Sequence, residues 1–122
     1  MHSINKPIGD YGEHLAELYL TDLGYIILDK NFRCKLGEID LIGKDGDYIT
    51  FIEVKTRRTT CFGMPCEAVN FVKQNKILKT AQMYILKKKL NKYNFRFDVV
   101  EIILNNNVKN YSIRLIKNAF QM

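Results

Sequence analysis

Two apolar runs of strand length flank an Asp45-Gly46 pair, and this arrangement constrains the fold more than any other feature of the sequence. The runs cover residues 38–43 and 48–57 and are rich in isoleucine and other strand-forming residues. An Asp-Gly pair between two such runs is a strong signal for a tight β-hairpin, because glycine readily adopts the positive φ that the turn requires. We therefore expect the two runs to pair as antiparallel strands.

Three further strands are predicted from short apolar runs bounded by turn residues, over residues 25–34, 95–104 and 111–117. The first three strands follow one another with short connections, so we expect an antiparallel meander. The order helix, three strands, helix, two strands predicts an α/β domain with a mixed sheet of about five strands flanked by helices. A length of 122 residues predicts a single domain over residues 1–122.

Two helices are predicted from the spacing of apolar residues. The first covers residues 10–23, and Gly24 supplies its stop signal. The second covers residue 67 to about residue 90, either continuous or interrupted near residues 72–75. A polar stretch over residues 58–65, with glycine and proline, predicts a loop before it.

The chain carries 19 Lys and Arg against 13 Asp and Glu, a formal charge of +6. This surplus favours a polyanionic partner, because each neutralised phosphate releases condensed counterions. The alternative is mild basicity without a specific partner. Lys73 and Gln74 lie near the start of the second predicted helix, where they could reach a phosphate. The lysines between residues 87 and 92 either contact a duplex or form a solvated face.

The cysteine, histidine and hydropathy patterns argue against several classes of protein. Cys34, Cys61 and Cys66 are an odd number without a CxxC motif, so a disulfide framework is not expected. Together with His2 and His14 they do not supply the spacing of a zinc site. No apolar stretch has the length of a signal peptide or of the roughly 20-residue segment that spans a bilayer. We expect a cytoplasmic protein with no membrane partner.

Asp40, Glu53 and Lys55 are predicted to converge on the two strands of the hairpin. Side chains alternate along a strand, so Glu53 and Lys55 point to the same face. Counting back from the Asp45-Gly46 turn sets Asp40 near the level of Glu53, and direct cross-strand neighbours have Cβ atoms about 5 Å apart. These three residues are therefore the first candidates for a catalytic site.

Two carboxylates in this position require a counter-charge, because like charges about 4 Å apart repel by about 4 kcal/mol at an effective dielectric of 20. Mg²⁺, or Mn²⁺ in its place, prefers oxygen ligands and keeps several waters, so Asp40 and Glu53 are predicted to hold one or two such ions. Lys55 would then orient a water or stabilise the transition state of phosphodiester hydrolysis. The alternative is a solvated Glu-Lys pair. The strand is otherwise apolar on both faces, which favours a site.

Glu13 has two interpretations. Asp10 and Glu13 have the spacing of a capping box, in which the glutamate satisfies backbone N–H groups at the start of a helix. Glu13 also lies at the edge of the apolar stripe of the first predicted helix, where it could serve as an additional metal ligand.

Several segments resemble the YraN-like family of bacterial proteins. They are Gly9-Asp10-Tyr11-Gly12-Glu13, Asn31-Phe32-Arg33, Gly37-Glu38-Ile39-Asp40-Leu41, Phe51-Ile52-Glu53-Val54-Lys55-Thr56-Arg57, Lys73-Gln74, Arg96-Phe97-Asp98-Val99-Val100 and Asn118-Ala119-Phe120. The resemblance spans nearly the whole chain, and the ordered set is far more specific than any one segment. That family is grouped with restriction-endonuclease-like folds and is similar to archaeal Holliday junction resolvases.

The resemblance implies a restriction-endonuclease-like mixed sheet and a Mg²⁺-dependent site. Carried over by position, Glu13 matches the first-helix glutamate, Asp40 the metal-binding aspartate, and Glu53 and Lys55 the Glu-x-Lys pair. The catalytic set is then Glu13, Asp40, Glu53 and Lys55. The chain departs from the broader superfamily in having Ile39 instead of proline before the aspartate, a change that the resolvase-like branch tolerates.

The predicted function is that of a metal-dependent endonuclease that hydrolyses DNA, on branched or repair intermediates, with Lys73, Gln74 and Arg57 as nucleic-acid contacts. One alternative is a non-catalytic nucleic-acid-binding module that keeps the nuclease fold, and another is an adaptor whose lysine surface is incidental. Resolvase-like enzymes generally act as dimers, because a four-way junction requires two symmetric cuts. A homodimer is therefore compatible with the resemblance, although no segment marks a dimer surface.

Overall fold

The computed structural model describes residues 6–58, 70–105 and 110–121, and these ranges contain two helices and five strands. In chain order the elements are α1 (Lys6–Asp22), β1 (Ile26–Cys34), β2 (Gly37–Asp45), β3 (Tyr48–Arg58), α2 (Phe71–Lys88), β4 (Asn94–Leu104) and β5 (Tyr111–Phe120). The order confirms the predicted mixed α/β architecture with a sheet flanked by helices.

The five strands form one sheet whose spatial order, β1-β2-β3-β4-β5, is the order of the sequence. Strands β1, β2 and β3 pair antiparallel, which confirms the predicted meander. Strands β3 and β4 pair in parallel, and β5 returns antiparallel to β4. A parallel pair needs a long crossover between its strands, and α2 lies in that crossover.

The hairpin between β2 and β3 is formed at the predicted turn. Asp45 lies opposite Tyr48, and Gly46 between them has a φ of 61°. That backbone conformation is disfavoured for residues with a Cβ atom, which explains why glycine occupies the position. The register that follows sets Leu41 opposite Ile52.

Each face of the sheet has its own hydrophobic core. One core packs α2 against the sheet and contains Ile39, Ile42, Ile49, Phe51, Ile77, Ala81, Tyr84, Phe97, Val99 and Phe120. The other packs α1 against the opposite face and contains Ala16, Leu20, Tyr25, Leu41, Ile52, Val100, Ile102 and Leu104. Strands β2, β3 and β4 supply residues to both cores, which explains their near-continuous apolar runs.

Helix α1 begins at Lys6, earlier than the predicted start at residue 10. Pro7 is compatible with this start, because proline is tolerated in the first turn of a helix. Asp10 and Glu13 therefore lie inside the helix, and the capping-box interpretation of Glu13 is wrong. A Cβ atom at Gly12 would lie 2.0 Å from Thr56 Oγ1 on β3, so the absence of a side chain lets α1 approach the sheet closely.

Helix α2 is continuous from Phe71, and the alternative of an interruption near residues 72–75 is wrong. Asn70 is the N-cap, and its side-chain oxygen accepts a hydrogen bond of 2.8 Å from the backbone N–H of Lys73. The predicted helical residues 67–69 and loop residues 59–65 lie outside the described ranges. Val72, in the first turn of the helix, is 64% exposed.

A buried carboxylate, Asp98, ties β4 to β5 and to Tyr25, the residue before β1. Arg96 donates two hydrogen bonds of 2.9 Å to it, the Tyr25 hydroxyl donates one of 2.9 Å, and the backbone N–H of Asn118 donates another of 2.9 Å. The same guanidinium also contacts Asp45 at 2.8 Å, and this hydrogen bond lowers the pKa of that carboxyl. This network lies near the β2–β3 turn, away from the candidate catalytic residues.

Neither helix in the described ranges combines the length and the apolarity needed to cross a bilayer.

A candidate acidic site where β2 leaves β3

Strand β2 leaves β3 at Asp40. The two strands pair from the hairpin as far as Leu41 opposite Ile52, whereas β2 remains paired with β1 as far as Gly37 opposite Cys34. Ile39 and Leu41 lie two residues apart on β2, yet they pack in opposite cores. Strict alternation would place both on one face, so the strand is irregular at Asp40. This irregularity opens the sheet beside β3 and presents the Asp40 side chain at the opening.

The Asp40 carboxylate accepts a backbone hydrogen bond from β3 that a carbonyl of β2 would accept in a regular sheet. Its Oδ2 accepts from the backbone N–H of Val54 at 2.8 Å. Burial raises the pKa of the Asp40 carboxyl well above its usual range, and the negative charges of Glu53 and Glu13 raise it further. The hydrogen bond from Val54 and the positive charge of Lys73 act in the opposite direction. Burial and the two acidic neighbours dominate, so a proton or a cation at this position is stabilised.

Glu53 lies on β3 next to Val54 and is 5% exposed. Its Oε2 forms an ion pair with the ammonium of Lys73, which projects from the first turn of α2 and is 35% exposed at its side chain. A buried carboxylate without a partner would be strongly unfavourable, and Lys73 supplies the counter-charge at this position. Lys73 had been predicted only as a nucleic-acid contact, and the structure places it inside the site.

Glu13 reaches the same region from α1. Burial raises the pKa of its carboxyl, a hydrogen bond from the Asn31 side chain lowers it, and the charges of Asp10, Glu38 and Glu53 raise it again. Glu13 also lines a polar cleft between α1 and the β1–β2 pair, together with Asp10, His14, Glu17, Lys30, Asn31 and Leu41. The close approach at Gly12 holds this part of α1 against the sheet.

The acidic groups fit a divalent cation that takes few protein ligands better than one that is enclosed by them. Within the described ranges no group of three or more His, Cys, Asp and Glu side chains is close enough to hold a metal ion on its own. Asp40 and Glu53 nevertheless act on one another electrostatically, and Glu13 acts on both. Mg²⁺ commonly takes one or two carboxylates and completes its shell with waters and substrate phosphates. Two adjacent carboxylates, one with a raised pKa, suit that mode of binding.

Lys55 lies two residues beyond Glu53 and leaves β3 on the same face. Its side chain is half-buried, and Glu101 of β4 lies directly opposite in the parallel register. Arg57 follows on the same face, is half-buried and is engaged in interactions of its own, as is Gln74 in the first turn of α2. The site thus has three basic residues beside Asp40 and Glu53, namely Lys55, Arg57 and Lys73.

Two features of the site were not predicted from the sequence. One is the ion pair between Glu53 and Lys73, which depends on where α2 starts. Asn70 as N-cap was the signal that could have fixed that start. The other is Glu101, a carboxylate within an otherwise apolar stretch of β4, which is buried at 5% exposure.

The fold and the site together define a class: a mixed α/β protein with a helix on each face and a pair of acidic residues, Asp40 and Glu53, where two strands separate. The chain belongs to the uncharacterised protein family UPF0102, whose sequence model matches residues 12–102. This membership confirms the YraN-like resemblance found in the sequence. The matched region contains Glu13, Asp40, Glu53, Lys55, Lys73 and Glu101.

Full-length relatives support the same assignment. The chain is 65% identical over 122 residues to a UPF0102 protein of Clostridium tetani, and the match covers 100% of both chains. It is 63% identical over 123 residues to a UPF0102 protein of Clostridium botulinum strain 657, again over 100% of each. A UPF0102 protein of Clostridium botulinum strain Hall is 61% identical over the same extent.

Proposed function

We propose that this protein is an endonuclease that hydrolyses phosphodiester bonds in DNA, on branched or repair intermediates, with Mg²⁺ or Mn²⁺ as cofactor. The observation that carries the proposal is the raised pKa of Asp40 beside the buried Glu53, at the point where β2 separates from β3. A carboxyl whose pKa is raised by burial and by specific charged neighbours marks a candidate functional site. The net charge of +6 supports a polyanionic substrate.

Each acidic residue has a place in the proposed site. Asp40 and Glu53 would hold one or two ions, and Glu13 would complete the ligand set directly or through a bound water. Such an ion lowers the pKa of water and offsets negative charge on a phosphoryl group. The hydrogen bond from Val54 fixes the Asp40 carboxylate, so the two acidic groups keep their relative positions.

The basic residues serve the substrate. Hydrolysis adds a water oxygen to phosphorus and releases one sugar oxygen, which takes up a proton. Lys55, on the same face as Glu53, would orient that water or stabilise the additional negative charge. Lys73 would exchange its contact with Glu53 for a contact with a phosphate when substrate and cation are present, and Arg57 and Gln74 would extend this contact surface.

The direct test is cleavage of labelled duplex, single-stranded, flap and four-way-junction DNA with Mg²⁺, Mn²⁺ or a chelator. We expect metal-dependent cleavage by the wild type and a loss of about 100-fold or more in Asp40→Ala and Lys55→Ala, because these side chains act on the reacting groups. Asp22→Ala, at the end of α1, and Lys79→Ala, on the exposed side of α2, are the matched controls.

A second candidate function is that of a nucleic-acid-binding module without catalysis. The ion pair between Lys73 and Glu53 favours it, because a lysine already neutralises one of the two carboxylates. If none of the DNA forms is cut with either metal ion while a gel shift detects salt-sensitive, metal-independent binding, this second function replaces the first.

A further inference from the structure

Glu101 is the most unusual charged residue that the proposed site does not yet use. It lies on β4, after Phe97 and Val99 on the same face, and is 5% exposed. Its Oε1 forms an ion pair of 3.1 Å with Arg114. Its Oε2 is buried and has no hydrogen-bond partner among the described residues. A buried carboxylate oxygen is rarely left unpaired, because desolvation without a compensating contact is costly.

The strand register indicates a candidate donor for this oxygen. Lys55 lies opposite Glu101 in the parallel register of β3 and β4, and Arg114 lies opposite Glu101 on the other side. Neighbouring strands are separated by about 4.8 Å, a distance that the side chain of lysine easily spans. Paired residues project to the same face, so Lys55, Glu101 and Arg114 form one row across three strands.

We propose that Glu101 is a positioning residue that holds the ammonium of Lys55 through Oε2 while Oε1 holds Arg114. The role of Lys55 rests on the proposed function, whereas the contact itself does not. The contact would hold Lys55 on the β4 side of β3, on the face that carries Glu53, whereas Asp40 lies on the β2 side. Without a fixed acceptor, a lysine side chain samples many rotamers, and ordering it during the reaction would carry an entropic cost.

Pairing with Arg114 alone does not account for Glu101. Arg114 is 62% exposed at its side chain, and an ion pair with an exposed arginine contributes little to stability. The Glu101 carboxylate is itself buried, and replacing a buried ionic group by apolar residues is often neutral or stabilising, so stability alone gives no reason for a carboxylate here. A role for the second oxygen does give a reason, because Oε2 is buried and lacks a hydrogen-bond donor.

The experiment is a double-mutant cycle between Lys55 and Glu101. On the DNA that the wild type cleaves best, kcat and KM are measured for Glu101→Gln, Lys55→Met and the double variant at saturating metal ion. We expect Glu101→Gln to lower kcat about 10-fold with little change in KM, since loss of a positioning partner typically costs 10- to 100-fold in activity. In the Lys55→Met background the same substitution should have no further effect.

A second measurement needs no nucleic acid. The amine signal of a lysine appears in ¹H–¹⁵N NMR spectra when a hydrogen bond slows its proton exchange. The Lys55 signal should be present in the wild type and lost in Glu101→Gln. Glu38→Gln is the matched control, because it also removes a glutamate paired with an arginine, at 2.9 Å to Arg33, and should leave the signal unchanged.

The outcomes separate this proposal from the proposed function. A wild type that cleaves nothing, but shows a Glu101-dependent Lys55 signal, leaves the positioning contact intact and removes the nuclease. An unchanged Lys55 signal in Glu101→Gln, or an equal loss of kcat in both backgrounds, overturns the positioning role. Should Glu101→Gln fail to fold, Glu101→Asp, which withdraws the carboxylate by one methylene, is tested with the same expectations.

Discussion

Asp40 is a candidate site residue whose charge lowers the free energy of unfolding. Its carboxyl is more readily protonated in the folded chain than in the unfolded chain, since burial and the nearby charges of Glu53 and Glu13 raise its pKa. The folded state therefore binds more protons above the usual aspartate range. Its contribution to the free energy of unfolding falls as the pH rises from that range through the raised pKa. At neutral pH and without a cation, Asp40 destabilises the fold.

We predict that Asp40→Asn increases the free energy of unfolding by about 0.5–2 kcal/mol at neutral pH, the range common for relieving an unfavourable site residue. The asparagine oxygen can still accept the hydrogen bond from Val54, so only the charge is lost. Urea unfolding at pH 5 and pH 8 measures the effect, which should be larger at pH 8. Asp22→Asn is the control, and a variant less stable than the wild type at pH 8 contradicts the prediction.

The proximity of Asp40 to Glu53 was predictable from the sequence, because the Asp-Gly turn fixes the register as far as Leu41 and Ile52, one residue from each. The break in strand alternation at Asp40 was not predictable from it. The ion pair between Glu53 and Lys73 was not predictable. Fourteen residues, 59–72, separate the end of β3 from Lys73, and the sequence does not define where they place α2. The same limit applies to Glu101. Only the parallel pairing of β3 with β4 places it beside Lys55, and pairing partners of distant strands are not visible in local patterns.

At the scale of the element, α1 depends on a close contact with β3. A Cβ atom at Gly12 would meet Oγ1, Cβ and Cγ2 of Thr56 at 2.0, 3.0 and 3.1 Å, so rotation of the threonine side chain alone cannot relieve the clash. Thr56 adjoins Lys55, and Glu13 adjoins Gly12. The contact therefore sets the distance of Glu13 from β3, the strand that carries Glu53 and Lys55.

We predict that Gly12→Ala destabilises the protein by about 1 kcal/mol. Overpacking costs about 1–3 kcal/mol, and the gain in helix propensity of about 0.5–1 kcal/mol offsets only part of it. Gly9→Ala in the same helix is the matched control, because nothing lies within 4 Å of a Cβ there, and it should be neutral or stabilising. Thermal unfolding followed by circular dichroism measures both. Equal effects of the two substitutions would show that the helix is free to shift.

The elements themselves were largely predictable, and the errors have physical causes. Each strand was identified because period-two and apolar runs were bounded by clear turn residues. Helix α1 starts earlier than predicted because Pro7 is tolerated in the first turn, and tertiary packing at Gly12 outweighs the low helix propensity of glycine. The start of α2 was misplaced because the N-cap, Asn70, is a single polar residue within an otherwise apolar run, residues 68–72, which continues the helical pattern.

At the scale of the whole molecule, the charge surplus should dominate binding to DNA. The affinity should fall steeply and linearly with the logarithm of salt concentration, because bound phosphates release counterions. Lys73→Met should reduce that slope by about one if Lys73 contacts a phosphate in the complex. Lys117→Met, which removes a lysine paired with Asp45 at the opposite end of the sheet, should leave the slope unchanged. Fluorescence anisotropy over a salt series measures both slopes, and an unchanged slope in Lys73→Met contradicts the assignment.

The sequential order of the strands also determines when the parts of the site come together during synthesis. Glu13, Asp40, Glu53 and Lys55 all belong to α1 and the first three strands, which a ribosome completes before α2 and β4 emerge. Neighbouring strands joined by short turns close early in folding, so a nascent chain can bring the two acidic groups together while their lysine partner is still unmade. Docking of α2 then brings Lys73 to Glu53 and completes the ion pair.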